Sequence, residues 1–283
     1  MMRSAKLFIA LLLLISPALT FSSRASPRIY YIHVGDKKLE IGTYDTSTVR
    51  AIPFRSFPWS EVNDSLIADF ILGGESCSIL YYIHCWLGDT GFYQKGSIKA
   101  IRDLPVDKLI IIRWENSSLS YLDNYRKAER KGSKISGLLE KLLGDPMQKN
   151  TLLVHSMGHS FWLGACRELK PNQKYLDLII MASADLNDDI FENKLSFLPQ
   201  QADHIIIYIH RKDRLLRLAR SKHNHKRLGL DGLKNASSYP NIRTVDVTGW
   251  PGKKGINPSN HTYFRDHDGV KADMKRRIMA LSP

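Results

Sequence analysis

Serine, aspartate and histidine together can turn a hydroxyl into a nucleophile, and this chain offers all three in order. The apolar run Thr151-Leu152-Leu153-Val154 passes directly into His155-Ser156-Met157-Gly158-His159, then into a helical stretch ending near Leu169. A buried strand that delivers a serine onto a sharp turn, with a helix leaving at once, presents the hydroxyl above the sheet in a strained backbone conformation. Small residues two before and two after the serine relieve the crowding this causes. Gly158 fills the later position, whereas Val154 occupies the earlier one. The competing reading is a serine that merely caps a helix.

An activated serine needs a base, and the base needs an orienting carboxylate. Two strand-like runs after Ser156 end in a carboxylate: Leu178-Ile179-Ile180-Met181 leads to Asp185, and His204 through Ile209 leads to Asp213. Both runs are short, apolar and rich in β-branched residues, as strands buried in a parallel sheet must be. A last strand, Thr244-Val245-Asp246-Val247, precedes a Pro/Gly/Asn-rich loop that carries His261. The order Ser, then Asp or Glu, then His is the one used by alpha/beta-hydrolases.

Over roughly residues 78 to 281 the chain resembles the bacterial, esterase-like alpha/beta-hydrolases that largely lack an assigned substrate. The resemblance rests on Tyr81-Tyr82-Ile83-His84, Val154-His155-Ser156-Met157-Gly158, Ala184-Asp185 followed by Ile190-Phe191, Arg211-Lys212-Asp213, and His261-Thr262-Tyr263-Phe264. It implies an alpha/beta-hydrolase fold, with a mostly parallel central sheet and helices on both faces. It also implies a triad of Ser156, Asp213 and His261. Asp185 is the alternative acid, since some hydrolases carry theirs one strand earlier. The chain departs from the family pattern twice: Cys85 and then Trp86 follow His84 where the family has glycine, and His159 follows Gly158 where it usually has asparagine.

The chemistry assigns each group a task. A neutral imidazole at His261 would accept the proton of the Ser156 hydroxyl and later protonate the leaving group, while Asp213 would hold the imidazole in the right tautomer. The oxyanion needs backbone donors, and the candidates are Met157, immediately after the serine, and Cys85 or Trp86 after the earlier strand. The expected function is an exported serine hydrolase that cleaves small-molecule or lipid-like carboxylic esters through an acyl-enzyme. The alternative is a non-catalytic binding module on the same scaffold, with Val154 and Cys85 as marks of lost geometry. Near the site, His155 and His159 read as structural and His267 as exposed. His33, His204 and His210 read as packed or edge residues of strands. No H-E-x-x-H spacing and no glycine-rich phosphate loop occurs, so neither a metal nor another cofactor is expected.

With 283 residues, of which 43% are hydrophobic, the chain suffices for one sizeable core, and residues 26–283 read as a single domain. Residues 1–25 read as a signal peptide: Arg3 and Lys6 precede an apolar run from Leu7 to Ile15 that breaks at Ser16-Pro17. That run is shorter than the roughly 20 residues a membrane span needs, so export to the periplasm or beyond is expected, with an N-terminal anchor as the alternative. Cys77 and Cys85 bracket one extended strand and Cys166 lies on a helix, which leaves no cystine in prospect. The formal net charge is +13. Cations are densest from Arg211 to Arg227, either a solvated helix face or a patch for an anionic envelope surface. Nucleic acid is not an expected partner, because no recognised binding module is present.

Strands are expected over 28–34, 39–44 and 50–54 at the edge of a sheet, with central strands at 79–84 and 109–113. One helix is expected from Tyr121 to Leu143, stopped by Gly144-Asp145-Pro146, and another from Val270 to Leu281 closes the chain.

Overall fold

A computed structural model describes residues 26–86, 91–116, 120–171, 173–194, 198–251 and 259–281. The expected signal peptide, residues 1–25, lies outside the described residues. Nine strands form one sheet: β1 (Arg28–Val34), β2 (Lys38–Asp45), β3 (Arg50–Pro58), β4 (Ser78–Ile83), β5 (Lys108–Trp114), β6 (Lys149–His155), β7 (Leu176–Ala182), β8 (Ala202–Ile209) and β9 (Ile242–Asp246). Their order across the sheet is β3-β2-β1-β5-β4-β6-β7-β8-β9. From β1 to β9 every neighbouring pair is parallel, and β2 runs antiparallel to both β1 and β3.

The apolar runs explain this architecture. In β4 through β8 nearly every residue is buried, so helices must cover both faces of the sheet. Alternate side chains of one strand therefore enter different cores. Tyr81, Ile83, Leu152 and Val154 meet the helices Asp64–Leu72, Tyr121–Lys134, Ser136–Leu143 and Gly158–Glu168 on one face. Leu80, Tyr82 and Leu153 meet Gly91–Ile101 and Asp268–Met279 on the other. The fold is that of an α/β-hydrolase, with a mostly parallel sheet between two helical layers.

One expectation of the fold needs correction. The span from Tyr121 to Leu143 is two helices, Tyr121–Lys134 and Ser136–Leu143, broken at Ile135 with φ −107° and ψ 13°. Gly132-Ser133 is a weak helical stretch, and the Ser136 hydroxyl bonds the Ser133 carbonyl at 2.8 Å, a local alternative to helical continuation. Gly132 is there for packing: a Cβ on it would overlap the Phe161 carbonyl, and one on Gly164 would overlap the Glu129 carbonyl. These two glycines let the helix Tyr121–Lys134 lie backbone to backbone on the helix that follows Ser156. The three strands expected at the edge of the sheet do lie together there, with β3 outermost and β1 joining them to the parallel strands. Among the described residues, no helix is long and apolar enough to cross a membrane.

Candidate active site

Ser156 follows the last residue of β6 and has φ +55°, the left-handed backbone that a strand-to-helix elbow imposes. Its N–H is held by the Ala182 carbonyl of β7 at 3.1 Å. The helix Gly158–Glu168 begins two residues later. Gly158 is required by contact: a Cβ there would lie 2.6 Å from the His84 carbonyl oxygen and 3.0 Å from Ile83. Val154, where the usual pattern has a second glycine, is fully buried and pairs with both Ile83 and Met181. The elbow forms with that valine in place.

Three side chains from three different loops meet over this elbow. Ser156 Oγ lies 2.8 Å from His261 Nε2, and His261 Nδ1 lies 2.8 Å from Asp213 Oδ2. Asp213 is completely buried although it stands in the basic run Arg211-Lys212-Asp213-Arg214. It caps the helix Arg214–His223, its Oδ1 accepting from the Leu215 and Leu216 amides at 3.0 Å each, and this leaves Oδ2 aimed at the imidazole. The loop bearing His261 is anchored beside it: the Arg214 amide donates to the Ser259 carbonyl at 2.8 Å, and Asn260 adopts φ +55°.

Asp185 stands apart from this chain of contacts. Its Oδ2 accepts from the Tyr121 hydroxyl at 2.6 Å, and its Oδ1 lies 3.5 Å from Arg227 Nε. It does not cap the helix after it, which starts at Asp188. Arg227 belongs to this buried pair, at 4% exposure, and not to the solvated helix face on which the charge run placed it.

Other residues hold the histidine's backbone. The His261 carbonyl accepts from the Ser183 hydroxyl at 2.6 Å and from His155 Nε2 at 3.0 Å. Ser183 has φ +46°, and its amide donates to the Tyr263 hydroxyl at 2.6 Å. Tyr263 in turn donates to the Tyr208 carbonyl at 2.7 Å. Tyr263 belongs to the His261-Thr262-Tyr263-Phe264 segment and Ser183 directly precedes Ala184-Asp185, but no local spacing marks either as a support of the base.

Burial sets the protonation of the histidines beside Ser156. Burial first, then the neighbouring His261, holds His155 well below its ordinary value. His159 is lowered to about 4 by burial, and its Nδ1 donates to the Ser156 carbonyl at 2.7 Å. Both act as neutral structural groups. His267, expected to be exposed, is 6% exposed and sits edge-on to His210 with ring centres 5.8 Å apart. It precedes the final helix, Asp268–Met279, and its ring also lies 6.3 Å from that of Tyr263. His204 is exposed near the start of β8, His33 is half-buried and His210 is buried.

The oxyanion candidates lie on both sides of the serine. Met157 caps the helix Gly158–Glu168, so its N–H is outside the intrahelical ladder. On the β4 side, His84 Nδ1 donates to the Cys85 carbonyl at 2.6 Å, while its Nε2 accepts from the Trp114 amide at 3.1 Å. The His84 ring stacks on Trp114 at 5.6 Å, which fixes the backbone from which Cys85 and Trp86 depart. Cys85 is outside the set of non-glycine residues with positive φ, so replacing glycine there costs no left-handed strain. Burial pushes its thiol up to about 12, a poor nucleophile at neutral pH. All three cysteines are free. Among the described residues, no group of three His, Cys, Asp or Glu side chains is placed to hold a metal ion.

Sheet order, elbow and loop placement define the chain as an α/β-hydrolase. More narrowly, it belongs to a family described as alpha/beta hydrolase of unknown function (DUF900), whose model matches residues 87–277. Ser156, Asp213 and His261 fall inside that match, and Cys85 and Trp86 fall before it. Searches of curated proteins and of solved structures returned no match.

Proposed function

We propose that the protein is a serine hydrolase that cleaves carboxylic esters through an acyl-enzyme. The observation that carries this reading is the continuous pair of 2.8 Å contacts from Ser156 Oγ through His261 to Asp213. His261 Nε2 takes the hydroxyl proton as Oγ attacks the ester carbonyl, and Asp213 stabilises the resulting imidazolium. The Met157 amide and a second amide from Cys85 or Trp86 receive the negative charge on the carbonyl oxygen. His261 then returns its proton to the departing alkoxide, which leaves the acyl group on Ser156. Water, deprotonated by the same imidazole, releases the acid and restores the hydroxyl. The retained positive φ of Ser156 supports this reading over a non-catalytic scaffold, because the strained serine survives the Val154 departure.

Export belongs to the same proposal and rests on the signal-like pattern of residues 1–25. The mature N-terminus should then lie between Phe21 and Pro27, readable by mass spectrometry of protein from the native host. For the chemistry, a fluorophosphonate probe should label the protein at Ser156 and p-nitrophenyl esters should be hydrolysed. Ser156→Ala should abolish both, and hydrolysis by that variant at the wild-type rate would end the proposal.

A further inference from the structure

Two charged side chains beside the elbow are almost completely buried and imperfectly satisfied. Asp185 and Arg227 are each 4% exposed, yet their closest approach is 3.5 Å. Neither Arg227 Nε nor Asp185 Oδ1 makes a hydrogen bond among the described residues. A buried guanidinium is costly unless its donors are used, so a spare donor at such a site calls for an acceptor. Trp86 Nε1, a donor only, and His223 Nε2 are likewise buried and without a hydrogen-bond partner among the described residues.

These groups form one connected cluster. Trp86 packs edge-on against Tyr121 with ring centres 6.3 Å apart, and the His223 ring lies 4.7 Å from the same tyrosine. The Tyr121 hydroxyl donates to Asp185 Oδ2, and Asp185 meets the guanidinium only loosely, through Oδ1 at 3.5 Å from Nε. The cluster also flanks the nucleophile. His155 pairs with Ala182 across β6 and β7, and Asp185 follows three residues later. Trp86 follows His84, whose carbonyl abuts Gly158. Backbone bonds from Leu228 to Leu186 and from Gly229 to Ala184, each 2.9 Å, fix Arg227 against the β7 loop.

We infer that Trp86, Tyr121, His223 and Arg227 form a subsite for a carboxylate on the substrate, so that the preferred esters are anionic. Planar guanidinium and planar carboxylate match in geometry, and the indole N–H adds a further donor. Asp185, tied to Tyr121, holds the guanidinium in place and offsets its charge when the subsite is empty. Lys222 and Lys226 lie in the same segment and keep the local field positive. This inference rests on the ester-hydrolase reading for its placement beside Ser156, but binding can be measured without catalysis.

The test compares mono-p-nitrophenyl adipate and 4-acetoxybutanoate, each against its methyl ester, placing the carboxylate on the acyl or the alcohol side. The wild type should prefer at least one anion by about tenfold or more in kcat/KM, the scale of a charge-assisted hydrogen bond. Arg227→Lys should keep part of that preference. The charge-neutral double variant Asp185→Asn with Arg227→Gln should bring the ratio to about one, with circular dichroism and thermal melting reporting its fold. No preference in the wild type, or a preference that survives the double variant, overturns the inference. Calorimetry of monomethyl adipate and 4-acetoxybutanoate with Ser156→Ala reads the subsite even if no ester is turned over. Binding of either that weakens with Arg227→Gln supports the subsite, and no binding of either overturns it.

Discussion

His155, the residue immediately before Ser156, donates from Nε2 to the main-chain carbonyl of His261 at 3.0 Å. The strand that delivers the candidate nucleophile therefore also fixes the height of the candidate base. Its ring packs on Phe264 as well, with centres 4.7 Å apart, so the contact is held from two sides. His155→Phe should keep the packing and lose the bond. The Ser183 bond to the same carbonyl remains, so kcat should fall by about tenfold, the value of one net hydrogen bond, with KM nearly constant. Steady-state kinetics would check the split, and His155→Gln should recover part of the loss.

The acid assignment yields a sharper contrast. Asp213→Asn keeps an oxygen for the helix cap but presents the wrong partner to the imidazole, so kcat should fall by about 10³–10⁴. Asp185→Asn leaves the contacts of His261 intact and should cost far less on a small neutral ester. Penalties in the reverse order would move the acid to the β7 loop.

Acid should loosen the elbow before it unfolds the exposed surface. His159 is neutral in the folded protein down to about 4, against an ordinary 6.5, so the unfolded chain binds the proton first. Its contribution to stability is complete above pH 6.5 and is lost as pH falls toward 4, on the order of 3 kcal/mol at about 1.4 kcal/mol per pH unit. His155 shifts in the same direction. The melting temperature should drop across this window, and His159→Asn should flatten the slope. An unchanged slope would assign the acid sensitivity elsewhere.

Gly132→Ala should destabilise the protein by about 1–3 kcal/mol, because the added methyl meets the Phe161 carbonyl and must push two helices apart. Chemical denaturation would measure it. A neutral result would mean that the helix pair slides without cost.

The helix Arg214–His223, capped by Asp213, turns Leu216 and Ala219 inward, while Leu215 and Leu218 are 49% and 54% exposed among basic residues. If the segment docks on an anionic envelope surface, binding to anionic vesicles should weaken steeply with salt, since exposed charges are screened beyond about 8 Å at physiological ionic strength. Reversing Arg217, Lys222 and Lys226 to glutamate should reduce that binding. Arg220 is left out because it contacts Asp231 at 3.3 Å. Equal binding to neutral and anionic vesicles at every salt concentration would return the helix to an ordinary solvated face.

Local patterns in the sequence determined a good deal of this molecule. The apolar runs specify the buried strands, because a strand covered on both faces has no place for polar alternation. Ser156 and Asp213 sit just past the ends of their runs, and His261 sits on the loop that follows the last strand. What the sequence could not decide was which charges leave water. Asp213 and Arg227 stand in one basic stretch and look alike as solvated residues, yet one is closed under the His261 loop and the other against Asp185. The break at Ile135, the burial of His267 and the pairing of Gly132 with the helix after Ser156 also depend on neighbours remote in sequence. Burial and hydrogen-bond satisfaction are properties of the packed sheet and helices, and no local spacing encodes them.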